Sequence, residues 1–192
     1  AERYDAEYFQ PMYEEIVKPI VYSKDYSCLG DLVSIKKCIE PGSEAYQDNG
    51  IMFLRVSNLS KFGMKDGNQQ YISKDLYRTI KQHQPKQGEI LLSKDATPGI
   101  AYYLKDEPEK MISSGGILRL KVKDESKLYP EYLTLVLNSV LVQKQIERDA
   151  GGSIINHWLV DQVKNTLIPV LPIVKQKKIA EMVNNFFCSR VL

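Results

Sequence analysis

Apolar and polar positions alternate in short runs along this chain, and the period changes repeatedly. Residues 50–59, "GIMFLRVSNL", concentrate Ile, Phe and Val and predict a strand. Residues 60–73 carry Gly63 and an Asp66-Gly67 pair, which predicts a hairpin excursion. In 74–82, "KDLYRTIKQ", Leu76 and Ile80 lie four apart and predict a helix. Two apolar runs within 88–105 flank "SKDATPG" and predict a strand pair. "SSGGILRLKVKD" (113–124) predicts a strand opened by two glycines, and "CLGDLVSIKKCI" a turn followed by a β-branched stretch. Helices are predicted near the N-terminus with Pro11 at the first helical position after Gln10, over 130–150 as one or two helices opened by Pro130, and in 151–165 after a Gly turn, with Ser153 or Asn156 as cap.

The last segment is the most informative. "LIPVLPIVKQKKIAEMV" (167–183) passes from a proline-framed extended stretch into a helical pattern at Ile173. Ile179, Met182, Val183, Phe186 and Phe187 are expected on one apolar face of an arm. A stripe of this kind needs another helix, from a second copy or a partner; the N-terminal helix around Met12 and Ile16 is an internal alternative. Lys175, Lys177 and Lys178 fall in its first turn, where the helix dipole disfavours positive charge. Either an acidic partner meets them or they solvate the outer face. Without strict βαβ alternation, the elements predict an α+β fold: an irregular, partly antiparallel sheet, flanking helices and a long C-terminal helix arm. Expected units are a helical lead-in (1–26), a globular domain (27–172) and the start of the arm (173–192). Both ends read as cut from a longer polypeptide.

Composition adds limits. The 192 residues are 43% hydrophobic and 26% charged, ordinary for a globular domain. The most apolar helix-like run, 132–142, contains Asn138 and Ser139 and is too short to span a membrane. Three cysteines without C-x-x-C spacing argue against a disulfide framework and against zinc, and fit a reducing cytoplasm. The net charge of +2 is uneven: residues 55–86 hold seven bases and two acids, a local +5. Such a segment is either a solvated surface or a footprint for a polyanion.

Signals for catalysis are weak. There is no dinucleotide or phosphate-binding glycine loop, and His83 and His157 lack cysteines at ligand spacing. Asp124, Glu125 and Lys127 offer a nuclease-like set in a polar turn. The loops are richer. Lys94, Asp95 and Thr97, stiffened by Pro98, can address base edges and phosphates, as can Ser57 and Asn58. Arg55, Lys61, Lys65, Arg78 and Lys81 are candidate phosphate contacts, and Ser114 lies in a Gly-rich bend that a phosphate could approach. Turn formation is the simpler alternative for both loops.

"LGDLVSI", "FLRVSNL", "GEILLSKDATPGIAYYL", "SSGGILRL", "YPEYLTLVLNS" and "GGSIINHWLVDQVKNTLIPVLPIVKQKKIAEMV", in this order, resemble the target-recognition domain of type I restriction–modification specificity subunits and the helix that follows it. The resemblance covers roughly residues 27–190. It implies a non-catalytic module without cofactor or metal, which selects a half-site of double-stranded DNA and holds methyltransferase subunits, and with them a restriction subunit, on that site. A complete specificity subunit has two recognition domains and two helices, whereas this chain has one of each. It is therefore half of such a subunit, a self-pairing half-length form, or the tail of a fused methyltransferase. "RYDAEYFQPMYEEI" resembles the junction in fused chains and favours the last. A nuclease fragment and an interaction scaffold without DNA contact remain the alternatives.

Overall fold

The computed structural model describes residues 9–150 and 157–188. In chain order the elements begin with α1 (Pro11–Ser23), β1 (Tyr26–Cys28), α2 (Leu29–Leu32) and β2 (Val33–Lys37). Then come β3 (Ile51–Leu54), β4 (Leu59–Ser60), β5 (Gly63–Met64), β6 (Gln70–Ile72) and α3 (Lys74–Ile80). They continue with β7 (Ile90–Ser93), β8 (Ala101–Tyr103), β9 (Met111–Ser113) and β10 (Ile117–Val122). The chain closes with α4 (Pro130–Leu137), α5 (Val140–Ala150), α6 (Val160–Asn165), β11 (Leu167–Pro169) and α7 (Ile173–Cys188). The class is α+β, as the element pattern predicts.

One antiparallel sheet, ordered β2-β10-β7-β8, organises the domain. Its two faces are both covered, which is why β7 reads as a continuous apolar run with every residue buried. Ile90, Leu92, Leu118, Leu120 and Val122 face a core closed by Leu133 and Leu137 of α4, Val142 and Ile146 of α5, Val163 of α6 and Trp158. Leu91 and Ile117 face the other way, towards Leu54 and Met111 of the second sheet. That sheet is ordered β6-β3-β9, with β9 parallel to β3. The β1–β11 pair joins residues 26–28 to 167–169 and closes the domain.

Arg119 points away from the helix-side core, because its neighbours Leu118 and Leu120 take that side. It is 4% exposed and must be paired. Its guanidinium donates to the carbonyl oxygens of Gln84 and Gln82 and lies 3.7 Å from Glu89, itself buried. This ties the segment after α3 to the central sheet. Cys38 shares the pocket, and burial pushes its thiol up to about 11 against the lowering field of Arg119.

Several local expectations change. The strand predicted over 50–59 stops at Leu54, and a 3-10 turn covers Val56–Asn58. Asn58 is buried there, with its amide donating to Gly67 O at 3.1 Å, so the chain turns inward where an extended strand would expose it. Strand β9 went unpredicted. Helix α3 ends at Ile80 and tightens into a 3-10 turn over 81–83. Helix α6 begins after Leu159; Ser153 and Asn156, expected as caps, lie outside the described residues. Helix α1 packs against α5 and the β1–β11 pair, so it is engaged there and does not serve as the main cover for α7.

The arm differs most from expectation. Among the described side chains of α7, Gln176 and Ala180 are the buried ones, and the helix packs against α4. Gln176 Oε1 accepts from Tyr129 N–H at 2.8 Å, and its Nε2 donates to Lys127 O at 2.8 Å and to Leu171 O at 2.6 Å. Asn184 adds a hydrogen bond to Glu131, and Lys177 lies over the Tyr129 ring. The five residues expected on one free face therefore divide. Met182 and Phe186 are 63% and 52% exposed and Ile179 borders on exposed, whereas Val183 is half-buried; the side chain of Phe187 lies outside the described residues. The reason is that the inward face uses a glutamine and an alanine, which a hydrophobic pattern does not mark.

Replacing Gln176 by Ala removes the side-chain partner of the Tyr129 N–H and of the Lys127 and Leu171 carbonyls, at about 1–3 kcal/mol for each group that water does not reach. Urea unfolding of Gln176→Ala is expected to give a lower midpoint with an unchanged slope. An unaltered midpoint would refute the role assigned to this side chain.

Candidate nucleic-acid interface

Residues 93–99 connect β7 to β8 at a fixed register, Leu92 opposite Ala101. Ser93, fully buried, holds the loop from inside. Its hydroxyl donates to Thr97 O at 2.6 Å and accepts from Ile100 N–H at 2.8 Å. Thr97 N–H reaches back to Asp95 O, and Ala96 adopts a left-handed φ of 59°. Gly99 has φ +88°, and a Cβ there would collide with Ile146 and Gln143 of α5, so no other residue fits without displacement. Gln143 donates to Gly99 O from the same helix. The loop is thus preformed, with Thr97 exposed.

Asp95 sits between Lys94 and His157. Its Oδ2 accepts from Lys94 Nζ at 2.5 Å and its Oδ1 lies 2.9 Å from His157 Nδ1. Partial burial opposes ionisation of the Asp95 carboxyl, but the hydrogen bonds and charges of Lys94 and His157 outweigh it and hold it below the ordinary carboxylate value. The backbones are joined as well: Asp95 and His157 form an isolated antiparallel bridge, and Trp158 N–H donates to Lys94 O at 2.8 Å. The buried Trp158 indole anchors this contact. His157 was set aside in the sequence because no ligand-spaced partner stands near it. Its partner is 62 positions away, and the only local signal is its place just after "GGSIIN" in the sequence.

Other predicted residues divide into three groups. Ser57 is exposed in the 3-10 turn, next to Val56: a Cβ at Gly116 would stand 3.0 Å from Val56 Cγ2 and 3.5 Å from Asp95 Cβ, so the turn lies near the loop. Asn58, Arg55 and Ser114 are committed inward. Arg55 Nη2 donates to Asn68 O at 2.5 Å, so Arg55 and Asn58 together pin the 66–69 loop. Ser114 is 4% exposed and its N–H donates to Leu54 O. The neighbouring Gly115 N–H faces the Glu40 carboxylate, which stands where a phosphate would have to approach. The remaining bases are exposed but dispersed. Lys61 Nζ reaches Asn138 O at the end of α4, Lys65 lies beyond the β4–β5 hairpin, Arg78 pairs with Asp75, and Lys81 ends α3. The +5 segment is therefore spread over several elements.

The nuclease-like set is spent locally. Asp124 accepts from the backbone and hydroxyl of Ser126 and pairs with Lys127, whereas Glu125 pairs with Lys121. Among the described residues no cluster of His, Cys, Asp or Glu could hold a metal ion, and no helix is long and apolar enough to cross a membrane.

Solved structures share this fold. The S subunit of a type I restriction–modification system from M. genitalium matches with a TM-score of 0.60 at 16% identity, over 84% of this chain and 38% of that one. The HsdS subunit from Thermoanaerobacter tengcongensis matches with a TM-score of 0.59 at 15% identity, over 93% and 45%. The type IIG restriction endonuclease BpuSI matches with a TM-score of 0.64 at 12% identity, over 94% and 28%. The chain spans less than half the length of each. No curated protein sequence matches it. The family model of the type I restriction modification DNA specificity domain matches residues 23–189, and the chain belongs to that family.

The Asp95 cluster sets an acid limit. Because the folded carboxyl titrates below its unfolded value, folding is favoured by ionisation; this contribution is present above the unfolded value, near 3.8, and is lost as pH falls through the folded one. Asp95→Asn is expected to be less stable than the parent at neutral pH, with the gap closing as the pH is lowered below about 4. Urea midpoints at several pH values check this, and a gap that stays constant would contradict it.

Proposed function

We propose that this chain reads duplex DNA as the specificity module of a type I restriction–modification system, or of a fused polypeptide of that kind. It selects a half-site and holds methyltransferase subunits there, with a restriction subunit joining the assembly. The observation that carries the reading is the 93–99 loop: a polar surface fixed by Ser93 and Gly99 on a sheet buried on both faces, in a chain of the specificity-domain family. Residues 27–172 serve as the recognition domain, closed by the β1–β11 pair, and 173–192 as the start of the arm. Chemistry belongs to the partners in this reading, and the purified chain neither transfers a methyl group from S-adenosylmethionine nor cuts DNA.

Dispersed exposed bases suit phosphate contacts, which set affinity without reading sequence. Lys81→Ala is expected to weaken binding to all duplexes about equally and to lower the salt slope by about one unit. Binding that is independent of salt in the parent would instead favour an interaction scaffold. Magnesium-dependent cleavage would favour the nuclease alternative.

The outer face of α7 supplies the partner contact. Met182 and Phe186, with Ile179, follow the three- and four-residue spacing of a helix-pairing seam. Burying a phenylalanine or methionine side chain is worth ~1.5–3 kcal/mol, so a second arm or a methyltransferase helix is expected there. Two-fold pairing would present two recognition surfaces to a symmetric bipartite target. Phe186→Asp with Met182→Lys should abolish association in sedimentation and leave the domain folded. A parent that stays monomeric at all concentrations and ignores the methyltransferase would overturn the pairing.

A further inference from the structure

The Lys94–Asp95–His157 cluster carries a more specific assignment, which rests on the DNA-reading function proposed above. Asp95 accepts from Lys94 on one oxygen and faces His157 Nδ1 with the other. The Asp95 side chain is 25% exposed and that of Lys94 21%, but the His157 side chain is 58% exposed. The group turned outward is therefore the imidazole. A carboxylate against Nδ1 favours the tautomer with hydrogen on Nδ1, because the alternative sets a lone pair against negative charge. Nε2 then carries the outward lone pair and acts as an acceptor when the ring is neutral.

An outward acceptor selects its partner. In the major groove the donors on base edges are the N4 amino group of cytosine and the N6 amino group of adenine, whereas guanine presents only acceptors and thymine an acceptor and a methyl group. Phosphates offer no donor. Lys94 and Asp95 cancel in charge, so the cluster carries no net positive field to draw a phosphate.

The support is rigid. The backbone bridge to Asp95, the Trp158 N–H bond to Lys94 O and the buried indole fix the backbone that carries the ring. A side chain held this way loses little rotational freedom on binding.

We infer that His157 is the base-reading side chain of this surface, that Asp95 is its positioning residue, and that the base it selects is an adenine or cytosine read through its exocyclic amino group. Asp95, expected in the sequence to read bases itself, acts through the imidazole.

The test is affinity selection from a library of randomised duplexes by the full-length protein with its methyltransferase. It compares the parent with His157→Ala, His157→Gln, Asp95→Ala, Asp95→Asn and the His157→Ala, Asp95→Ala double variant. For the parent, one base pair of the consensus is adenine or cytosine on the strand facing the ring. Discrimination at that pair falls roughly ten- to a hundredfold in His157→Ala, as for loss of a specific base contact. Asp95→Ala degenerates the same pair and the double variant loses nothing more, whereas Asp95→Asn weakens the preference less, because its amide oxygen can still accept from Nδ1 although its amino group then faces the Lys94 ammonium. The salt slope stays that of the parent throughout. Should His157→Ala fail to fold, His157→Gln decides: it is expected to move the preference at that pair towards adenine, which an amide reads with both its groups.

The assignment is overturned if the folded His157 variants keep the parental consensus at every pair. It is equally overturned if they lose affinity uniformly with a smaller salt slope, the mark of a phosphate contact. A parent that selects no consensus at all overturns the DNA-reading function itself, which separates the two failures.

Discussion

Gln176 is the joint on which the relation between domain and arm depends. It is fully buried, and its amide closes three hydrogen bonds to backbone groups at 127, 129 and 171. An amide suits this place because it offers a donor and an acceptor without a charge to desolvate. Two of those groups stand at the threshold of α4. At the far end of α4, Asn138 accepts from Ala101 N–H and donates to Ala101 O, clasping β8. Helix α4 is therefore a strut of ~12 Å between the arm and the strand that leaves the 93–99 loop. Gln145 repeats the device from α5, bonding both backbone groups of Leu167. Three amides thus fix the helical layer to strands and arm at chosen points, which apolar packing alone would leave free to slide.

The opposite face of the central sheet is held by charge. Arg119 and Glu89 are both buried, and the guanidinium is spread over Gln82 and Gln84 as well as Glu89. Removing one partner would strand the other in a dry site, a much larger loss than the net worth of the pair. The geometry explains why α3 and its basic residues stay at the sheet although the helix itself has only seven residues. The same burial raises the Cys38 thiol and so favours its protonated form.

Much of this was legible in the sequence where one element carries one strong pattern. The β7–β8 pair, the start of α4 at Pro130 and the start of α7 at Ile173 follow from apolar runs and proline chemistry. What escaped was decided by contacts between distant residues. Strand β9 has three residues and gains its identity from lying parallel to β3. Asn58 reads as a surface residue until Gly67 is brought beside it. His157 reads as solitary until the fold delivers Asp95. On α7 the pattern located the helix and its outer apolar stripe, but the inward contact of Gln176 and Ala180 escaped it, because glutamine and alanine can make a close helix contact that hydrophobicity does not mark.

The dispersal of the positive charge bears on why an arm is present at all. Of the seven bases in 55–86, Arg55 is committed to Asn68, Arg78 pairs with Asp75, and the other five are spread over several elements, so they do not converge on one phosphate track. A DNA-reading module with few such contacts binds weakly alone, since phosphate neutralisation supplies a large share of affinity. Weak single contacts become selective when two modules are joined at a fixed spacing, because the second binds at a high effective concentration only where the half-sites match that spacing. A flexible joint would forfeit that discrimination by allowing many spacings. The rigid connection from Gln176 through α4 to Asn138 and the 93–99 loop is the feature such an arrangement requires: it ties the direction of the arm to the surface proposed above for recognition.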